Sequence, residues 1–275
     1  MTQFFQGRKA AIATMHGKEL VLSPVLQDLG IVQIVIPNID TDQFGTFSGE
    51  KERLDDPLQT LRKKCLLAHE HTGIDVVIAS EGSFGAHPFI PFASADEEIV
   101  MLRDYRCGLE VIVKELSTET NFAGKVIEDR DDLLLFAENA GFPEHALILK
   151  SGGHMEKGIT NSNQLIQVFY DMMDLSNARV WVETDMRAMH NPTRMKVIAH
   201  CATKLKESIN SLCPECLWPD FTIKKMESGL PCGLCQMPTE SIKFRIKICD
   251  KCGAREEIAT EKKYQDPMYC NYCNP

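Results

Sequence analysis

The stretch Lys9-Ala10-Ala11-Ile12-Ala13-Thr14-Met15-His16-Gly17-Lys18 runs from an apolar string into a His-Gly-Lys turn, after which helical periodicity continues to Gly30. A short apolar string followed by a helix is the opening half of a strand-helix-strand unit, so an α/β fold is expected from the first thirty residues onward. Ile31 to Ile36 reads as the second strand, and a loop rich in Asp, Gly and Thr follows it (Asn38 to Gly49). Asp56-Pro57 then supplies an N-cap and a first-turn proline for a helix reaching about Thr72. Ile74 to Ser80 is a third strand, ending in Glu81-Gly82-Ser83. Glu97 to Asp104 and Gly108 to Glu115 form a hairpin.

Beyond the hairpin, Asp131 to Asn139 is helical and stopped by Gly141, His145 to Lys150 a strand, Asn163 to Met173 a helix and Ala178 to Val182 a strand. A closing helix starts at Asn191-Pro192 and places Ile198, Ala202, Leu205 and Ile209 on one face. The expected architecture is an α/β domain on a mixed sheet over residues 1–210, followed by a small module over 211–275.

Eight of the eleven cysteines form that module's signature, as four Cys-x-x-Cys pairs: Cys213/Cys216, Cys232/Cys235, Cys249/Cys252 and Cys270/Cys273. Each turn offers two thiolates, and two turns complete a tetrahedral zinc site. The gaps of 15, 13 and 17 residues favour pairing first with second and third with fourth, as two zinc ribbons; a cross-braced pairing is the alternative. A disulfide framework needs an oxidising compartment, whereas the chain opens Met1-Thr2-Gln3-Phe4-Phe5-Gln6 without a basic segment and apolar run. A cytoplasmic protein is expected. No stretch approaches the roughly 18 apolar residues of a membrane span.

Net charge is −9, and residues 213–275 hold nine Lys/Arg against nine Asp/Glu, so the acidic excess lies in the first domain. Non-specific nucleic-acid binding is thereby disfavoured. The basic alternation of Lys243, Arg245 and Lys247 reads as the solvated face of a strand whose Ile and Phe residues turn inward. The tail also offers a docking surface for a protein partner, and a homodimer is compatible with the composition. Cys65, Cys107 and Cys201 read as packing residues.

In open α/β sheets ligands bind beyond the carboxyl ends of the strands. Those ends carry Thr14, His16 and Lys18, the Asp40/Asp42 loop, Glu81 to Ser83, and the polar run Glu183 to Arg194. Glu81, directly after an apolar strand, is expected to face the crevice and, with Asp40, Asp42 or Glu50, to hold Mg²⁺. Lys18 at a helix start suits a phosphate, Arg187 and Arg194 are candidate clamps, and His16, Thr14, Ser83 and His190 candidate substrate contacts. The two arginines suit an ion-pair network equally well. Glu119, Thr120 and Asn121 form a further polar cluster without an evident packing reason.

The strings Thr14 to Glu19, Asp40 to Glu50, Ala79 to Gly85, Ser117 to Phe122 and Glu183 to Met195, with the Cys-x-x-Cys tail, resemble an uncharacterised bacterial family with a domain of unknown function. That resemblance spans nearly the whole chain and assigns no activity. The layout of Lys18, Glu81-Gly82 and the basic turn Arg187 to Arg194 more remotely resembles the inosine/xanthosine triphosphate pyrophosphatases, although His16 stands where those proteins carry asparagine. The second resemblance implies a Mg²⁺-dependent enzyme cleaving a nucleoside triphosphate to a monophosphate and pyrophosphate. A phosphohydrolase acting on a nucleotide or related small phosphorylated molecule is therefore the leading expectation. Its rivals are a non-enzymatic phosphoryl-ligand sensor and a zinc-ribbon interaction protein.

Overall fold

The computed structural model describes residues 4–41, 56–176 and 179–275. It comprises two compact units, Met1–Leu205 and Lys206–Pro275. The first holds β1 (Lys9–Ala13), α1 (Glu19–Asp28), β2 (Gln33–Val35), α2 (Pro57–Thr72), β3 (Val76–Ala86), β4 (Ser94–Asp104), β5 (Leu109–Ser117), β6 (Gly124–Ile127), α3 (Arg130–Ala140), β7 (Leu147–Ser151), β8 (His154–Ile159), α4 (Ser162–Ser176) and β9 (Val180–Thr184). Helix α5 (Pro192–Asn210) contains the division between the units. The second unit carries β10 (Thr222–Ser228), β11 (Ile242–Ile248) and β12 (Arg255–Ala259).

The first sheet has the order β2-β1-β3-β4-β5, with β2, β1 and β3 parallel and β4 and β5 antiparallel. It is the mixed sheet expected from the sequence. Because β1 lies between β2 and β3, the chain leaves β1 toward one edge and returns past it to the other, which makes the carboxyl ends of β1 and β3 a topological switch point. Helix α2 sits on one face of this sheet. Asp56 caps it by accepting from the Leu58 and Gln59 amides at 2.9 and 3.0 Å, and Gly73 ends it at φ 68°. Its Leu61, Cys65 and Ala68 bury against Ala11, Ala13, Val77, Ala79, Ile99 and Met101, a mixture of small and large strand residues. Each large apolar side chain so buried contributes about 1.5–3 kcal/mol.

A second, four-stranded antiparallel sheet, β6-β9-β7-β8, was not legible as a separate sheet. Its core joins Leu133, Phe136 and Ala137 of α3 and Leu165, Phe169 and Met172 of α4 to Leu147, Leu149, Val180 and Val182. Strands β6 and β8 are additions to the sequence reading. Neither Gly-Lys-Val-Ile nor His-Met-Glu-Lys-Gly-Ile carries the alternation that betrays a half-buried strand.

In the second unit β11 is the central strand of the antiparallel order β10-β11-β12. Ile246 is buried while Lys243 and Arg245 are exposed, and Lys247 pairs with Glu256 at 3.2 Å. The inward Ile and outward cations follow the expected alternation. Phe221, with Trp218 against it, packs beside Cys213 and Cys249 as the small core of the module.

Among the described residues no helix is long and apolar enough to cross a membrane.

Candidate functional site

Two cysteine clusters occupy the second unit, and their membership corrects the sequential pairing. Cys213 and Cys216 meet Cys249 and Cys252, and Cys232 and Cys235 meet Cys270 and Cys273, so the first pair joins the third and the second joins the fourth. The reason is the three-stranded sheet. Antiparallel β10 and β11 bring Thr222, just after the first pair, opposite Ile248, just before the third. Spacing along the chain carries no information about this crossing.

The donor set fits zinc. Within each cluster, sulfurs of the two Cys-x-x-Cys turns lie 3.6 Å (Cys213/Cys252), 3.6 Å (Cys216/Cys249), 3.8 Å (Cys232/Cys273) and 3.6 Å (Cys235/Cys270) apart. A tetrahedron with Zn–S bonds of about 2.3 Å has edges of about 3.8 Å, whereas a disulfide needs sulfurs about 2.05 Å apart. Each cluster can hold one zinc ion. Three of the four turns close alike: the residue four after the first cysteine (Leu217, Gln236 or Gly253) takes a positive φ of 58°, 63° or 73° and donates its amide to that cysteine's carbonyl. A leucine and a glutamine in left-handed backbone each cost roughly 1–2 kcal/mol. A zinc ion in each cluster would more than offset that strain.

The other candidate site lies at the switch point of the first sheet. Strand alternation divides its residues between two faces. Ser80, Gly82 and Phe84 of β3 share one face with Val100, Glu98 and Asp96, their partners on β4. Glu81 points to the other face, beside Ala79 and Ile99, where the Lys64 ammonium of α2 holds its carboxylate in a buried ion pair. Glu81, expected to face a ligand crevice, is thus packed under a helix. Asp40 is exposed, and Asp42 and Glu50 lie outside the described residues.

On the Ser80 face the buried Lys18 ammonium donates to Ser80 Oγ at 3.0 Å. Burial and the nearby Arg194 lower the Lys18 pKa to about 8, against the pull of Glu98 and Glu81. Arg194 is itself almost fully buried. Its Nε donates to Glu98 Oε1 at 2.6 Å, another guanidinium nitrogen donates to the Met186 carbonyl, and the group lies 5.0 Å from the centre of the Phe84 ring. Asn191 caps α5 by accepting the Arg194 amide at 2.9 Å, and donates in turn to Asn121 Oδ1 at 2.8 Å. The role of Asn121 is therefore to brace the start of α5. Arg187 pairs with Asp185, with Nε–Oδ1 3.0 Å and a second guanidinium contact of 2.6 Å. Both arginines adopt the ion-pair alternative, Arg194 with a partner the sequence reading had not named.

His190 titrates below its ordinary value, chiefly through burial, with Arg187 and His16 adding to the effect and Asp185 opposing it. His16 and His190 therefore share an electrostatic environment. Thr14 is buried, and Ser83 lies on the Glu81 face of β3. The sequence reading missed Asp96 and Glu98. Neither side chain is exposed, and Asp96 Oδ1, Asp96 Oδ2 and Glu98 Oε2 have no hydrogen-bond partner. Burial, reinforced by Glu98, pushes the Asp96 carboxyl up to about 7. The signal was available in Asp96-Glu97-Glu98, where two carboxylates two apart precede the apolar run Ile99 to Leu102 and so share one strand face.

Gly82 is what allows the Arg194–Glu98 pair. A Cβ there would overlap the Glu98 carboxylate and lie 2.6 Å from the Arg194 guanidinium. Gly82→Ala should lower stability by about 1–3 kcal/mol as an overpacking change, read as a lower urea midpoint at unchanged m-value. A midpoint equal to wild type would show that the pair yields without cost.

The family model described as "Domain of unknown function (DUF6671)" matches residues 64–275, over three quarters of the chain. The chain belongs to the DUF6671 family. The match takes in Lys64, the β3–β4 carboxylates, Arg194 and all eight tail cysteines of this DUF6671 protein, whereas Thr14, His16 and Lys18 precede it. The curated proteins contain no match. Among solved structures, the lipoprotein GNA1162 from Neisseria meningitidis is similar at 16% identity over 49% of this chain and 94% of its own, with a TM-score of 0.21. These comparisons lend no support to the pyrophosphatase resemblance.

Proposed function

We propose that this DUF6671 protein binds a phosphorylated small molecule, a nucleotide or a related phosphate, at the β1/β3 switch point, and hydrolyses it with a divalent cation, while zinc in the two cysteine clusters folds the tail. The observation that carries this reading is Lys18. Lys64 and Arg194 are committed to Glu81 and Glu98, but the buried Lys18 ammonium, among the described residues, donates to the neutral Ser80 hydroxyl and to no carboxylate. A cation buried at the first turn of a helix, beyond the end of a parallel strand, is placed for an anionic group. There it would screen the charge that builds as a P–O bond breaks. His190, whose burial lowers its pKa, adds an imidazole that favours the neutral form, and His16 acts on it electrostatically. A non-catalytic sensor is the second reading, favoured by the Lys64–Glu81 pair, which withdraws that carboxylate from metal binding.

Lys18→Met tests the assignment on two counts. The folded pKa of about 8 lies below the ordinary 10.5, so the unfolded chain binds the proton more tightly and wild-type stability rises as pH climbs from about 8 to 10.5. Lys18→Met should therefore be more stable than wild type by about 3 kcal/mol at pH 7, an advantage that shrinks across that window. Across a panel of nucleotides and phosphate monoesters with Mg²⁺, wild type should show a ligand-dependent rise in Tm and release of phosphate or pyrophosphate, and Lys18→Met neither. A rise without release selects the sensor. A panel that leaves wild type unchanged on both counts removes the proposal.

A further inference from the structure

We propose that Asp96 and Glu98 form the carboxylate pair of a site for one hard divalent cation of the Mg²⁺/Mn²⁺ class, on the face of β3 and β4 that carries Ser80 and Gly82. The two residues sit at alternate positions of β4, opposite Phe84 and Gly82, and both are wholly buried. Three of their four carboxylate oxygens lack a partner. Leaving even one buried polar atom unsatisfied costs about 1–3 kcal/mol, more when charged, and three such acceptors on neighbouring side chains of one face require donors or a cation. The surrounding cations do not meet the need. Arg194 engages the remaining oxygen, Glu98 Oε1, while Lys18 donates to Ser80. A proton on Asp96 would serve at most two of the three oxygens, the one that bears it and one that accepts it.

One or two carboxylates suffice for Mg²⁺, which completes its shell with water and substrate phosphate oxygens. The site is accordingly distinct in kind from the two four-cysteine clusters, the groups of three or more ligands found among the described residues. Charge also points to a pair of ligands. The two carboxylates are matched by Lys18 and Arg194, so a bare divalent ion leaves excess positive charge and a phosphate bound beside it removes that excess. Cation and phosphate should strengthen one another reciprocally. This coupling rests on the phosphoryl reading; the cation site itself does not.

The test uses the full zinc-loaded chain, Mn²⁺ as the cation and inorganic phosphate as the anion, with bound Mn²⁺ read from loss of the free-ion electron paramagnetic resonance signal. Wild type should take up one Mn²⁺ per chain, and phosphate should tighten that binding on the order of tenfold. Asp96→Asn, which breaks no ion pair, should weaken Mn²⁺ at least about tenfold while retaining the zinc content and circular dichroism of wild type. Should Asp96→Asn misfold, the wild-type stoichiometry still decides. Equal Mn²⁺ affinity in wild type and Asp96→Asn, or no Mn²⁺ uptake by wild type with phosphate present, overturns the cation site. Uptake lost in Asp96→Asn but indifferent to phosphate upholds the cation site and counts against the phosphoryl reading. Phosphate release that needs added Mg²⁺ yet survives Asp96→Asn does the reverse.

Discussion

Serine at both Cys213 and Cys249 should leave the chain with one zinc ion, and serine at both Cys213 and Cys232 should leave it with none. The clusters Cys213/Cys216/Cys249/Cys252 and Cys232/Cys235/Cys270/Cys273 require this result, because the first combination damages one cluster and the second damages both. Sequential pairing requires the opposite. The effect is large in energy as well as in count, since structural zinc contributes apparent free energies of about 10–16 kcal/mol at neutral pH in isolated zinc modules. Each cluster lost also strips the compensation from its left-handed turn residues, Leu217 in one and Gln236 in the other. Zinc per chain, measured by elemental analysis after extensive dialysis, checks the assignment. One ion retained in the Cys213/Cys232 variant would refute cross-bracing.

Arg194→Met should lower stability by about 3–5 kcal/mol, the cost of leaving one member of a buried ion pair uncompensated. Arg194 and Glu98 are both without solvent exposure, and Glu98 already shares its face with the partnerless Asp96. The methionine would also drop the contact to the Met186 carbonyl that holds the turn before α5. Replacing Glu98 by Gln together with Arg194 by Met should recover much of the loss, since the amide no longer carries the stranded charge. Urea unfolding monitored by far-ultraviolet circular dichroism gives all three values. An Arg194→Met loss below about 1 kcal/mol would place the pair with surface ion pairs, whose worth is of that order.

Much of the first unit could be read from local chemistry. Asp56-Pro57 marks the start of α2 because a cap acts within a turn of the residues that encode it, and the observed helix begins there and ends at Thr72, as expected. The parallel opening followed by a hairpin was legible for the same reason. What local patterns could not give was which carboxylate faces which way. Glu81 follows an apolar run and looked aimed at a crevice, but β3 continues to Ala86, and that extension fixes its side chain by alternation on the α2 face. Lys64, the partner that claims it, was an ordinary helical lysine in sequence. Arg194 was singled out for its setting, yet its partner lies 96 residues earlier, a separation over which no periodicity operates. In the tail, residue identity gave the ligands and tertiary pairing alone gave their grouping.

Interlocking of the two cysteine clusters makes the tail indivisible. Had each pair bound its sequence neighbour, residues up to Cys235 could have matured as a self-contained finger, and the remainder as another. Instead the first ion must wait for Cys252 and the second for Cys273, with the connecting segments overlapping between them. A fragment cut anywhere between Cys235 and Cys249 leaves two half-sites on either side of the break, and therefore no transplantable piece.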